Sequence, residues 1–230
     1  MLIGPQNLTL HVNHVRSRIR SAAIAAGRDP ESIALVAVTK AKTAESVRLA
    51  ATAGVTDFGE NYLQEAQVKM DQLADLKLTW HFIGGIQSNK TRAIAERFDW
   101  VQSVDRLSVA RRLSEQRPFH APPLNVCIQV ALVPEPTKGG VAPDELAALA
   151  AAIAGLPKLV LRGLMCVPPP QPNVAAERAV FARLRMALQD LNAAGLKLDT
   201  LSMGMSGDFE SAIAEGATLV RIGTALFGAR

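Results

Sequence analysis

Short apolar runs alternate with stretches of helical spacing along nearly the whole chain. Eight of these runs are rich in β-branched residues and are predicted to be strands, at Ile33–Lys40, Val55–Glu60, Thr79–Gly84, Trp100–Val104, Asn125–Ala131, Leu159–Val167, Thr200–Ser206 and Thr218–Phe227. The stretches between them are rich in Ala, Leu, Glu and Arg and are predicted to be helices, at Ala44–Ala53, Gln64–Leu76, Lys90–Arg97, Leu107–Gln116, Pro143–Ala154, Ala175–Ala194 and Phe209–Glu215. One more helix is predicted before the first strand, at about Asn7–Ala26.

The order of these elements predicts the fold class. Strict alternation of strand and helix is typical of a parallel sheet. Eight such units predict a closed (β/α)8 barrel, an α/β fold of the TIM-barrel type, here with an extra N-terminal helix. The alternative is an open, doubly wound sheet, which usually carries a glycine-rich turn after its first strand. Residues 36–46 contain no glycine, so the barrel is favoured.

The chain is expected to form one domain, residues 1–230. With 230 residues, of which 49% are hydrophobic, it can bury one sizeable core. Its most proline-rich stretch, Val167–Pro172, lies between a predicted strand and a predicted helix, so we interpret it as a loop at the barrel mouth. The roles of this loop and of the Pro134–Gly140 loop stay open.

Charge and aromatic content argue against a nucleic-acid partner. The net charge is only +4, and the basic runs Arg16–Arg20 and Arg111–Arg112 lie on helical patterns that we interpret as solvated faces. One Tyr and seven Phe provide no array of rings on which bases would stack.

We expect a cytoplasmic protein without a membrane segment. No apolar run approaches the roughly 18 residues that a membrane span needs. Met1–Leu10 lacks the pattern of a signal peptide. Cys127 and Cys166 lie singly in apolar runs, without the spacing of metal ligands, which predicts buried, reduced thiols.

Unusual polar residues and glycines gather near the ends of the predicted strands. In a barrel of this type, binding and catalytic groups collect at the carboxyl ends of the strands. One alternative for Lys40 is that it is merely the first solvated residue after a strand. The joint placement of the whole set nevertheless predicts one site at one mouth, built from Lys40, Glu60, Asn61, His81, Gly84, Ser103, Ser206, Arg221, Gly223 and Thr224.

The last thirty residues suggest what this site binds. Ser206 precedes a helical pattern, and Gly223 and Thr224 close the next apolar run. Backbone N–H groups at a helix start, approached closely through glycine, form a cup for phosphate. Arg221 places a full charge inside an apolar run, which is compatible with either a structural ion pair or a site residue.

A lysine facing a phosphate cup has a specific chemical use. At a dry strand end, desolvation would lower the pKa of the Lys40 amine and free it to form a Schiff base with an aldehyde. Pyridoxal 5'-phosphate carries both an aldehyde and a phosphate, and Arg221 could face its ring nitrogen. An aldolase acting on a sugar phosphate is the competing use of the same groups.

Seven blocks of sequence carry a family resemblance that runs nearly from end to end. The chain resembles the pyridoxal phosphate homeostasis proteins, whose fold is similar to the N-terminal barrel domain of bacterial alanine racemase. The blocks are Ala37–Lys40, Phe58–Asn61, Trp80–Gly84, Gln87–Lys90, Gly163–Met165, Leu201–Ser206 and Val220–Thr224.

The resemblance implies a role for each matching position. Lys40 would be the Schiff-base lysine, and Arg221 would lie beside the pyridine nitrogen. The phosphate would be held by Ser206, Gly223 and Thr224. Asn61 would line the cofactor, and the backbone of Met205 would approach it.

The resemblance also implies a carrier rather than an enzyme. Racemase relatives use a second acid–base tyrosine from a separate domain of the partner subunit, whereas the only tyrosine here is Tyr62, expected to pack or face solvent. We therefore expect a monomer that binds pyridoxal 5'-phosphate on Lys40 and delivers it to apo-enzymes, without strong catalytic activity. The alternative is a pyridoxal-phosphate-dependent amino-acid racemase or related enzyme. A weak activity with His81 or another mouth residue as base stays open.

Overall fold

Eight parallel strands close into one barrel, in which each strand pairs with its neighbour along the chain and the last pairs with the first. The computed structural model describes residues 5–133 and 139–228. The strands are β1 (Ala34–Val38), β2 (Asp57–Glu60), β3 (Thr79–Phe82), β4 (Trp100–Val104), β5 (Leu124–Gln129), β6 (Leu159–Met165), β7 (Thr200–Ser202) and β8 (Leu219–Ile222). The predicted (β/α)8 barrel is confirmed.

Helices surround the barrel between the strands. They are α1 (Pro5–Ala25), α2 (Ala44–Thr52), α3 (Leu63–Gln72), α4 (Thr91–Arg97), α5 (Leu107–Gln116), α6 (Leu146–Ala154), α7 (Val174–Ala193), α8 (Phe209–Ala214) and α9 (Thr224–Phe227). Side-chain caps begin two of them. Thr43 Oγ1 accepts from Ser46 N at the start of α2, and Asn173 Oδ1 accepts from Ala176 N at the start of α7.

The extra helix α1 is held by one apolar stripe. Its buried residues recur every three or four positions, which places them on a single helix face, at Leu8, Val12, Val15, Ile19 and Ala23. This face packs against α8, α9 and α2. Each fully buried Leu, Val or Ile contributes about 1.5–3 kcal/mol to folding, so the stripe fixes α1 on the barrel.

The last predicted strand, Thr218–Phe227, is wrong in its second half. β8 ends at Ile222, and Leu226 N and Phe227 N both bond to Gly223 O, at 3.0 and 2.9 Å, which closes a helical turn. Leu226 and Phe227 are buried as helix residues, and His11 Nδ1 lies 2.9 Å from Leu226 O. The hydrophobic pattern of a short apolar run is the same in a buried strand and in a buried helix, which explains the error.

Two classes of feature are missing from residues 5–133 and 139–228. No helix there is long and apolar enough to cross a membrane. The same residues contain no cluster of His, Cys, Asp and Glu that could hold a metal ion.

Candidate functional site

Lys40 lies two residues beyond β1, in a tight turn at the carboxyl end of the barrel. Thr39 N bonds to Gly59 O at 3.0 Å, and Lys42 N bonds back to Thr39 O at 3.0 Å. The Lys40 side chain is exposed. The predicted dry surroundings of Lys40 are therefore wrong for this structure: Thr39 is still buried, but Lys40 directly after it is exposed to solvent.

A buried ion pair between β2 and α3 stabilises this turn. Lys69 Nζ donates to Glu60 Oε1 and to Thr39 O, both at 2.6 Å, and Thr39 Oγ1 donates to the same Glu60 oxygen at 2.5 Å. Side chains alternate along a strand, so Glu60 faces α3 and not the barrel mouth where it was expected. Burial raises the pKa of Glu60, and the bonds from Lys69 and Thr39 offset part of that rise.

A second carboxylate fixes the far side of the turn. Ala41 adopts a left-handed conformation with φ of 58°, which is uncommon for a residue other than glycine. Its N–H donates to Glu65 Oε2 at 2.9 Å, which stabilises the turn in this shape. Lys42 Nζ donates to Phe227 O at 3.1 Å and so ties the same turn to α9.

The predicted phosphate-binding residues come together where β7 and β8 end. Ser206 Oγ accepts from Ala225 N at 3.2 Å, which joins the loop after β7 to the first turn of α9. Gly223 caps this turn and Thr224 is its exposed first residue. A Cβ built on Gly223 would lie 3.5 Å from Val38 Cβ, so the group adjoins the strand that leads to Lys40.

The Met205 backbone, which is expected to approach the cofactor, has hydrogen bonds of its own within the loop after β7. Its N–H donates to Asp208 Oδ1 at 2.6 Å, and its carbonyl accepts from Phe209 N at 3.0 Å. Burial raises the pKa of Asp208. The side chain of Met205 is exposed.

Arg221 is buried inside the barrel without a carboxylate partner. It donates to Ser202 Oγ and, at 2.8 Å, to Cys166 O, and its relative exposure is 3%. Among the residues that the structure describes, no carboxylate lies within 4.0 Å of the guanidinium. Within the described residues Arg221 therefore forms no structural ion pair. Burial lowers the pKa of Arg221.

Asn61 contributes an acceptor that lacks a partner. In the described part of the chain, its buried Oδ1 receives no hydrogen bond. The backbone here is tightly packed, since a Cβ on Gly84 would lie 2.1 Å from Asn61 O, so position 84 requires glycine. Asn61, Gln87 and Lys90 line a cleft of about 240 Å³, together with Tyr62, which is exposed as predicted.

Two residues predicted at the mouth lie elsewhere. His81 is fully buried in the barrel interior, with Nδ1 2.8 Å from Gln102 Nε2 and Nε2 2.9 Å from Asp57 Oδ1. Ser103 is buried and donates to Gly84 O at 2.5 Å, so it supports the loop beside Asn61. Neither side chain is available as a base at the mouth.

Sequence reasoning missed Lys69, Gln102 and Ser202. Gln102 and Ser202 were visible as polar residues within predicted strands, where barrel interiors are mostly apolar. Lys69 carried no such signal, because a lysine on an amphipathic helix normally faces solvent. Two clefts of about 530 and 610 Å³ flank α1 and contain none of the predicted site residues.

The mouth therefore offers chemically complementary groups: an amine, a hydroxyl beside helix-start amides, a guanidinium and an unpaired amide oxygen. Together they suit a small ligand that carries an electrophile, an anion and a polar ring.

Cys127 and Cys166 are free and buried, and burial raises the pKa of each thiol to about 12, so neither supplies a nucleophile.

Comparison with known proteins shows the family to which the chain belongs. Residues 10–230 match the family model described as alanine racemase, N-terminal domain. The pyridoxal phosphate homeostasis protein of Pseudomonas aeruginosa is 63% identical over 220 residues, which cover 96% of this chain and 94% of that protein. The protein of the same name from Escherichia coli K12 is 49% identical over 219 residues, 94% of each chain.

Solved structures show the same relationship. PipY of Synechococcus elongatus, solved without PLP, superposes with a TM-score of 0.87 at 39% identity and covers 96% of this chain and 100% of its own. A PipY structure described as having PLP bound gives 0.86 at 38% identity, with the same coverage. Alanine racemase of Corynebacterium glutamicum, at 21% identity and a TM-score of 0.68, shares the fold. The chain belongs to the alanine racemase N-terminal domain family and, within it, to the pyridoxal phosphate homeostasis proteins.

Proposed function

We propose that this chain binds pyridoxal 5'-phosphate through Lys40 Nζ and serves the intracellular homeostasis of that cofactor by holding and releasing it. Two relatives support the proposal: the P. aeruginosa protein, named for pyridoxal phosphate homeostasis, and PipY, described with PLP bound. When bound, pyridoxal 5'-phosphate supplies an aldehyde that forms a C=N bond with an amine and releases water.

The observation that carries the proposal is the meeting of three loops at one mouth. The turn after β1 holds Lys40, and it is tied to α9 through the bond from Lys42 Nζ to Phe227 O. The loops after β7 and β8 are joined by the bond between Ser206 and Ala225. These ties support a site in which the Lys40 amine and the anion-binding groups flank one opening, as an aldehyde with a phosphate requires.

Ser206, Gly223 and Thr224 are assigned to the phosphate. The Ser206 hydroxyl and the Thr224 N–H are donors, and the absent side chain of Gly223 lets an anion approach the backbone. A hydrogen bond to a charged group contributes about 1.5–3 kcal/mol, so this set would anchor the ligand.

Arg221 and Asn61 are assigned to the cofactor ring. Arg221 donates only to Ser202 and Cys166 within the described residues, which leaves other guanidinium N–H groups for a ring nitrogen. A permanent cation there keeps the nitrogen unprotonated and weakens the ring as an electron sink. Asn61 Oδ1 would accept a hydrogen bond from the ligand. Met205 would contact it through its side chain.

A carrier is favoured over an enzyme by the surroundings of the candidate bases. His81 has both ring nitrogens engaged below the mouth, and Tyr62 is exposed to solvent. We further propose that the protein is a monomer, because all the assigned groups come from one chain, and that it passes its cofactor to apo-enzymes. The two unpaired thiols favour a cytoplasmic location.

An absorbance spectrum and borohydride reduction test the proposal. The purified protein should be yellow, and reduction should fix the cofactor on the peptide that contains Lys40, as identified by mass spectrometry. Lys40→Ala should remove the absorbance band and keep the fold. Lys77→Ala, at an exposed lysine that precedes β3, is the control and should keep the band. Attachment at Lys42, Lys90 or Lys138 would contradict the assignment.

A further inference from the structure

An unbroken chain of hydrogen bonds crosses the barrel interior behind Arg221. Arg221 of β8 contacts Ser202 Oγ of β7, which lies 2.6 Å from Gln102 Oε1 of β4. Gln102 Nε2 lies 2.8 Å from His81 Nδ1 of β3, and His81 Nε2 lies 2.9 Å from Asp57 Oδ1 of β2. Ser202, Gln102 and His81 are fully buried. The chain thus joins the mouth to the first residue of β2.

The direction of every bond in this chain follows from Arg221. A guanidinium only donates, so Ser202 Oγ accepts from it and turns its own hydrogen toward Gln102 Oε1. The Gln102 amide N–H₂ then faces His81 Nδ1, which must accept and carry no proton. The His81 proton therefore sits on Nε2 and is donated to the Asp57 carboxylate.

Asp57 is suited to end the chain as an anion. Burial alone would raise the pKa of Asp57, but hydrogen bonds from His81 and Thr56 outweigh that effect and lower it. His81 also stacks on Trp100, with ring centroids 5.5 Å apart. The Arg162 guanidinium lies 4.9 Å from the centroid of the Trp100 ring, and it also donates a hydrogen bond to Asp199. A positive end and a negative end therefore bracket three neutral side chains.

Removing one link leaves polar groups unpaired on both of its sides. Without the Ser202 hydroxyl, Arg221 would lose an acceptor and Gln102 Oε1 would lose its donor, both inside the barrel. Since buried polar groups without partners are unfavourable, the neighbouring side chains would rotate to find other partners. The orientation of Arg221 thus depends on the links behind it.

We propose that Ser202, Gln102 and His81 are positioning residues that hold Arg221 toward the ring nitrogen of the bound cofactor, with Asp57 as the anchor at the far end. This inference rests on the proposed function, because it takes Arg221 as the ring-nitrogen contact. It assigns a role to residues that touch neither the phosphate-binding group nor Lys40.

The test compares two ligands that differ only at the ring nitrogen. Pyridoxal 5'-phosphate and its 1-deaza analogue, in which a C–H group replaces that nitrogen, are each titrated into the apo-protein. Their ratio of dissociation constants measures the contact with Arg221. In the wild-type protein the natural cofactor should bind more tightly. Ser202→Ala should reduce the ratio by about threefold or more, since it removes the bond that orients the guanidinium.

Two further variants make the result decisive. Ser114→Ala also removes one buried hydroxyl bond, to Pro157 O, but lies on α5 outside the barrel, and its ratio should match that of the wild type. Asp57→Ala changes the far end of the chain at a partly exposed residue and should lower the ratio in the same direction. If Ser202→Ala fails to fold, Asp57→Ala decides the question.

Each remaining outcome has one meaning. A wild-type ratio that persists in both Ser202→Ala and Asp57→Ala would overturn the positioning role while leaving the proposed function intact. A wild-type protein that binds both ligands equally would show that Arg221 does not contact the ring nitrogen, and the inference would fall with that contact. Absence of binding by either ligand would refute the proposed function itself.

Discussion

Lys69 donates a 2.6 Å hydrogen bond to Glu60, and both side chains are buried between β2 and α3. The same ammonium group bonds to the carbonyl of Thr39, the residue before Lys40. The ion pair therefore supports the turn that presents the proposed cofactor lysine, although neither member faces the mouth.

Lys69→Met should destabilise the protein strongly. It leaves the Glu60 carboxylate buried without its counter-charge, and breaking such a pair typically lowers the free energy of unfolding by about 3–5 kcal/mol. Urea unfolding followed by circular dichroism measures the change. Arg48→Met, which breaks the exposed pair with Asp75, is the control and should change stability little. Equal effects of the two variants would show that burial of the pair does not matter.

The phosphate group should contribute strongly to the affinity of the protein for the cofactor. Pyridoxal, which lacks the phosphate, should bind about tenfold or more weakly than pyridoxal 5'-phosphate, because one charge-assisted hydrogen bond already exceeds about 1.4 kcal/mol. Fluorescence titration provides both dissociation constants. Similar affinities for the two ligands would refute the assignment of Ser206, Gly223 and Thr224.

Gly223→Val should weaken cofactor binding more than Thr224→Ser. A side chain at position 223 would obstruct the approach of the anion to the backbone, whereas Ser keeps the N–H and the hydroxyl of position 224. The fold should tolerate a Cβ at Gly223, because its nearest neighbour would be Val38 at 3.5 Å. Thermal unfolding of the apo-proteins checks that the loss is one of binding. The reverse order of affinities would contradict this arrangement.

Saturated with cofactor, the protein should show little turnover of alanine, serine or other common amino acids. With Arg221 beside it, the ring nitrogen would stay unprotonated. The cofactor ring would then stabilise carbanions poorly. Racemisation at about 1 s⁻¹ or faster, measured by chiral chromatography, would favour the enzyme over the carrier. Transfer of cofactor to an apo-enzyme should still occur and is followed by recovery of that enzyme's activity.

Asp57 should contribute to acid sensitivity. Its pKa lies below the ordinary value of 3.8, so its stabilising effect is complete above that value and disappears as the pH falls through the lower, folded-state pKa. Urea midpoints measured between neutral and strongly acidic pH should fall less steeply for Asp57→Asn than for the wild type. Asp144→Asn, at an exposed position, should follow the wild-type curve. Identical curves for Asp57→Asn and wild type would exclude this role.

The alternation of strands and helices was predictable because it depends on local periodicity. Its main error, at Thr224–Phe227, came from a run too short to distinguish strand from helix. Arg221 was identifiable as a site candidate because a charge inside an apolar run is unusual wherever it occurs. Its contacts were not predictable, since only the stagger of the neighbouring strands in the barrel brings Ser202 and the Cys166 carbonyl beside it.

The sequence by itself determined the order of elements, hence the barrel, and the positions at its mouth where polar residues follow strands. Only the tertiary structure decided which way those residues face. Thr39 and Glu60 turn toward α3, Lys40 is left in solvent, and His81 lies inside the barrel rather than at its rim. The physical reason is that a side chain's face changes with every residue along a strand, so the exact residue where each strand ends decides what reaches the site.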